Sequence, residues 1–144
     1  MMKLLRNRNG SATILFFGLF FGLVLFTFVV LEMGGAMEHY DQAQAVLQRS
    51  VNSAVEANMD EAYRADHVLR LKVEEAKASF ISFANADMPK NFRLVIKSVT
   101  GTAQPPSLTA TGTVTFPALF SPFGDREVTV GFTVKARNFA VDGR

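Results

Sequence analysis

Cysteine is absent from the chain, which removes disulfides, thiolate metal sites and cysteine nucleophiles together. Whatever folds here is held by packing. Tryptophan is also absent, and histidine occurs only as His39 and His67. Neither has a second ligand four residues away, so no helical metal-binding pair exists. There is no G-x-S-x-G elbow, P-loop or dinucleotide fingerprint, and the adjacent Glu74 and Glu75 point to different sides of a helix rather than forming a carboxylate dyad. The missing inventory speaks against an enzyme and leaves no residue set for a cofactor, a metal or a small-molecule substrate.

Two further absences are positional: no acid precedes Glu32, and no proline precedes Pro89. The net charge of +2 could suggest a polyanionic partner, but from Glu32 onward twelve Lys/Arg stand against thirteen Asp/Glu. The basic excess therefore lies in Met1 to Arg8, and the rest of the chain carries no footprint for nucleic acid.

What is present is dominated by GSATILFFGLFFGLVLFTFVVL, Gly10 to Leu31, in which 22 consecutive residues carry no charge. A hydrocarbon core about 30 Å thick needs roughly 20 apolar residues at 1.5 Å of helical rise each, and this run has that length. Six of the fourteen phenylalanines fall between Phe16 and Phe28, as expected of a lipid-facing helix. Lys3, Arg6 and Arg8 precede the run, whereas Glu32, Glu38 and Asp41 follow it with no Lys or Arg before Arg49. That bias keeps the amino terminus in the cytoplasm and sends the remainder across the membrane. The rival reading is a cleavable secretory signal, with Gly34 and Ala36 as the small residues at its cut. Signal apolar regions run about 7 to 15 residues, and this one is longer.

Within the span, Gly18 and Gly22 form a G-x-x-x-G. Two glycines one turn apart let another helix approach backbone to backbone, although glycine is also common in membrane helices and falls at this spacing by chance. Glu32 ends the apolar run, as an interfacial residue more readily than as a buried ionic partner. The pair Gly34 and Gly35 is expected to bend or weaken the helix just beyond it.

Beyond the span about 110 residues remain, enough for one small folding unit. In EHYDQAQAVLQRSVNSAVEANM, Ala43, Leu47, Val51, Ala54 and Asn58 recur at three- and four-residue spacing. That narrow stripe of mostly small residues marks a helical stalk packed on a neighbour, internal or from another subunit. After a break at Asn58 to Asp60, a second amphipathic helix is predicted, with Asp60 as N-cap and Pro89 as stop. Its apolar stripe is Ala62, Ala65, Leu69, Val73, Ala76, Phe80 and Phe83.

From Phe92 the period changes to two. Phe92, Leu94 and Ile96, then Leu108, Ala110, Gly112, Val114 and Phe116, then Val128, Val130, Phe132, Val134 and Ala136 alternate with polar, Thr-rich positions. Three such strands in succession predict an antiparallel meander with one apolar face for the second helix to cover. The loop Phe116 to Phe123, running into the connection PALFSPFGD, offers Phe116, Leu119, Phe120 and Phe123, which either close the core or form a patch that docks on a partner.

The expected architecture is therefore α+β: a basic cytoplasmic leader (1–10), a transmembrane helix (11–32) extended into a stalk (33–59), a domain (60–137) with a second amphipathic helix packed on a three-stranded antiparallel meander, and a frayed tail (138–144).

The layout resembles the TadE/TadG-like pilin-like proteins of tight-adherence (Flp-type) pilus systems. The likeness rests on the short basic leader ending in RNRNG-SA, the long apolar run, the acidic exit LEMGGAMEHY, the Ala-rich DQAQAVLQRSVNSAVEANM, and VTFPALFSPFGDREVTVGFTVKARN. The resemblance implies cleavage after Gly10 by a prepilin peptidase, leaving Ser11 as the new amino terminus. Its partners would be the lipid bilayer and other pilus or secretion-system subunits, or further copies of itself, at a bacterial plasma membrane. Many pilin-like proteins carry Glu at the fifth residue after the cut, which here is Leu15. That departure fits members that stay in the membrane as assembly factors. The alternative, from a different class, is an extracytoplasmic binding or sensor module that the span merely tethers.

Overall fold

The computed structural model describes residues 8–60, 69–119 and 126–138, with side chains from residue 12 onward. Helix α1, Arg8–Ala57, is a single unbroken helix of 50 residues, about 75 Å long at 1.5 Å per residue. No proline interrupts it, and helical hydrogen bonding continues through Gly34 and Gly35, where a weak point was expected. Two glycines flanked by strong helix formers cost the segment too little to break it.

Helix α2 is Val73–Asp87, followed by strands β1, Arg93–Thr102, β2, Ser107–Pro117, and β3, Glu127–Arg137. The sheet is an antiparallel meander in the order β1-β2-β3. Its inner face carries Leu108, Ala110, Val114 and Phe116 from β2 and Phe132, Val134 and Ala136 from β3, all buried. β1 adds the half-buried Leu94, Ile96 and Val99. Its alternation changes phase, because the pairing with β2 slips between Ile96 and Ser98. The extra residue, Lys97, is exposed, so the bulge lets both halves of β1 turn apolar side chains inward.

Both helices lie on that one face, α1 over β3 and β2 and α2 over β1, and they also pack on each other. The stalk is thus part of the domain. Ala43, Leu47, Val51 and Ala54 are buried in the same core as Phe80 and the sheet, not against a neighbouring subunit's stalk. A helix of 15 residues is too narrow to cover three strands of 10 or 11, so the long helix covers the rest.

The second helix departs from the sequence pattern at its start. Helical structure begins at Val73, and Lys72 occupies the N-cap without a side-chain capping bond. Asp60 does not cap it. Instead the Asp60 amide donates to the Arg70 carbonyl and the Lys72 amide to the Asn58 carbonyl, around a bridge between Met59 and Leu71. Ala62 and Ala65 lie outside the described residues, and Leu69 precedes the helix. Within α2 the buried stripe is Ala76, Phe80 and Ala84, while Phe83 is turned outward. In the tail, the Asn138 amide donates to the Pro106 carbonyl at 3.1 Å, tying the chain down one residue past β3.

Candidate functional site

α1 divides into two halves with opposite surroundings. From Ile14 to Met37 nearly every large apolar side chain is exposed. Among the described residues this is one helix long and apolar enough to cross a membrane. Thr27, four residues before the end of the uncharged run, donates from Oγ1 to the Leu23 carbonyl at 2.9 Å. That bond satisfies the hydroxyl donor within the helix itself. Gly18 and Gly22 have nothing within 4 Å of where a β-carbon would stand, so their strip is bare of contacts from this chain. Gly10 and Ser11 fall in the first turn of the same helix backbone.

The second half of α1 fixes which end of the sheet lies near the apolar half. Leu119 sits on Gly35 so closely that its Cδ1 occupies the place a β-carbon would take. One turn further along, the His39 ring meets Phe92 and Phe116 edge-on, each at 5.4 Å between centroids, and those two rings are 5.5 Å apart. His39 Nδ1 is the buried side-chain polar atom that lacks a hydrogen-bond partner among the described residues. Further out still, Gln48 donates to the Lys135 carbonyl at 3.0 Å, and Asn58 Nδ2 donates to Ser79 Oγ at 3.0 Å. The end of the sheet where β2 stops and β3 starts thus faces the apolar half of α1. The β1–β2 turn, with its cis Gln104–Pro105 peptide, faces away.

The stretch from the end of β2 into the connection divides between two roles. Phe116 is buried and closes the core, whereas Leu119 is 52% exposed. Phe120 and Phe123 lie outside the described residues. Sequence reasoning missed the pairing of Leu119 with Gly35; the signal available was a glycine pair in a helix that otherwise avoids glycine after Gly22.

The opposite face of the sheet is polar. Thr109, Thr111, Thr113 and Thr115 of β2 stand beside Lys135, Thr133, Gly131 and Thr129 of β3. Thr115 and Thr129 share a hydrogen bond of 2.8 Å between hydroxyls. Arg93 of β1 reaches across β2 to pair with Glu127 of β3, an exposed contact worth little on its own. A cleft lined by Asn52, Val55, Glu56, Ala136, Arg137 and Asn138 has a volume of about 260 Å³. That is smaller than ordinary small-molecule sites, which run from about 300 Å³. Among the described residues no three His, Asp or Glu side chains are grouped to hold a metal ion.

No protein-family model matches the chain, and no curated protein or solved structure matches it either.

Proposed function

We propose that this protein is a single-pass membrane component of the TadE/TadG-like kind, a minor pilin-like or assembly subunit of a bacterial Tad (Flp-type) pilus or related secretion system. It acts by association. The observation that carries the reading is the division of α1: one continuous helix supplies a bare apolar half and, beyond Gly35, the core of a small α+β domain. A domain built on the same helix as its span moves with that span, which suits a subunit positioned by contacts within the bilayer. The charge bias around the run sets the amino terminus in the cytoplasm of a bacterial plasma membrane and the domain on the far side. Gly18 and Gly22 form the strip where a helix from another subunit, or from a second copy, approaches.

The test is in-membrane crosslinking of the full chain from a photoreactive residue at Leu19, compared with the Gly18→Ile, Gly22→Ile double variant. Loss of specific crosslinks in the variant supports association through this strip; unchanged crosslinks to every partner overturn it. A tethered binding module is the second reading, favoured by the Thr-rich outer face, which no described element covers. Crosslinks formed from Thr111 or Thr133, with none from the span, would select it.

A further inference from the structure

We infer that the span-facing end of the domain rests in the interfacial layer of the bilayer that α1 crosses, with Pro117 at the end of β2 and Leu119 just after it in contact with lipid. The inference rests on reading α1 as a membrane span, and it adds an orientation and a second lipid contact that the span alone does not require.

The geometry is set by one helix and one close contact. Leu31 is the last residue of the uncharged run, and α1 continues without a break past it. Gly35 is four residues further on, about 6 Å along the axis at 1.5 Å per residue. The headgroup layer on each side of the hydrocarbon core is about 5 to 7 Å deep. Gly35 therefore lies within that layer, on the same helical face as Leu31 one turn below. Leu119 is packed on Gly35, so it is held at the same depth. It is nonetheless half exposed, and Pro117 beside it is exposed too.

An apolar side chain pinned at headgroup depth by an unbroken helix has lipid as its natural cover. A second protein at this level would have to displace that lipid first. The charges at this end are mixed: Arg93 pairs with Glu127, and Arg126 lies opposite Ala118, whose amide donates to its carbonyl. The contact is thus apolar, of the kind made by interfacial segments whose buried area rather than charge holds them down. The aromatic group of His39, Phe92 and Phe116 one turn above gives the loop a firm base.

The absence of cysteine makes the test direct. Single cysteines introduced as Phe20→Cys, Pro117→Cys, Leu119→Cys and Lys135→Cys are each labelled with a polarity-sensitive fluorophore, and the full chain is reconstituted in phosphatidylcholine vesicles containing nitroxide-bearing lipids. The expected result is strong quenching at Phe20 by a deep nitroxide, and quenching at Leu119 and Pro117 by a shallow nitroxide that exceeds that at Lys135 several-fold. The Pro117 label leaves the Leu119–Gly35 contact intact and guards against a local rearrangement in the Leu119 variant. Quenching at Phe20 with Leu119 and Pro117 as unquenched as Lys135 would overturn the inference while leaving the span in place. No quenching at Phe20 would remove the membrane reading and the inference with it.

Discussion

The ring of Phe132 stands where a β-carbon on Gly112 would have to go, with Cε1 2.8 Å from that point and the Val95 carbonyl closer still. Gly112 pairs with Phe132 on one side and with Ile96, beside the β1 bulge, on the other. Two of its obstacles are thus a buried aromatic ring and main chain, neither of which yields cheaply. Gly112→Ala is expected to destabilise the domain by about 1–3 kcal/mol, as overpacked cores do, lowering the melting temperature by roughly 4–8 °C per kcal/mol. Gly131, one residue before Phe132, is the control. Its nearest obstacle is 3.9 Å away, so Gly131→Ala is expected to be neutral or to stabilise by up to about 1 kcal/mol. Pulse proteolysis of the full chain in lipid across a urea series reads both, since the span stays helical and would mask a spectroscopic melt. Equal losses for the two variants would refute the crowding at Gly112.

The phase of α2 makes a second contrast. Phe80 is fully buried, whereas Phe83 is 36% exposed. Phe80→Ala is expected to cost about 3–5 kcal/mol through lost burial and the cavity left behind, a large share of the roughly 5–15 kcal/mol that holds a typical domain folded. Phe83→Ala is expected to cost less than about 1 kcal/mol, in the range of surface changes. The same proteolysis assay decides it, and a reversed order would mean that α2 is rotated on the sheet.

Why these two phenylalanines could not be told apart beforehand is physical. Both fit a three-and-four rhythm extended back to Ala62, but the helix starts only at Val73, and the stripe that packs is set by Ala76 and Ala84 around Phe80. The segment before it is diverted because Asn58 to Asp60 pairs with Arg70 to Lys72, a long-range pairing that a local period does not record. The strands were legible because alternation of apolar and Thr residues has a single satisfactory solution once one face is buried. The Lys97 bulge was not, since Lys97 is polar in either register. The long apolar helix was legible from the length of its uncharged run. The burial of Ala43, Leu47, Val51 and Ala54 inside the chain depended on which surface needed covering, and a helical stripe does not name its partner.

Asn58 joins the end of α1 to α2. Its Nδ2 donates to the Ala54 carbonyl at 2.8 Å and to Ser79 Oγ at 3.0 Å, while its own carbonyl accepts the Lys72 amide at 3.0 Å. Side chain and main chain together anchor the start of α2. Asn58→Leu removes both side-chain bonds and leaves Ser79 Oγ without this donor, an expected loss of about 1–3 kcal/mol. Ser79→Ala is expected to cost less, because Asn58 keeps Ala54. A double-mutant cycle should return a coupling of about 0.5–1.5 kcal/mol, and a coupling indistinguishable from zero would mean that the two side chains do not share a bond.

The start of the mature chain is set by whether the leader is cut. The leader is basic and ends in Gly10 at the first turn of α1, the features on which the resemblance to prepilin-type substrates rests. Protein extracted from native membranes is therefore expected to begin at Ser11, ten residues shorter than the full chain, by amino-terminal sequencing and intact mass. Cleavage there would put a new ammonium at the positive end of the helix dipole, an unfavourable placement by about 0.3–1 kcal/mol unless an acid lies nearby. The chain offers none before Glu32. Leu15→Glu, one turn into the helix from Ser11, would supply such an acid. In a processed chain it is expected to increase crosslinking between copies, because each carboxylate then has an ammonium to pair with. In an unprocessed chain the same carboxylate would enter the span unpaired and lower the amount of inserted protein. A start at Met1 or Met2 would identify an uncleaved anchor and remove the ammonium from the argument. A start near Met37 would mean that the mature protein does not carry its span at all.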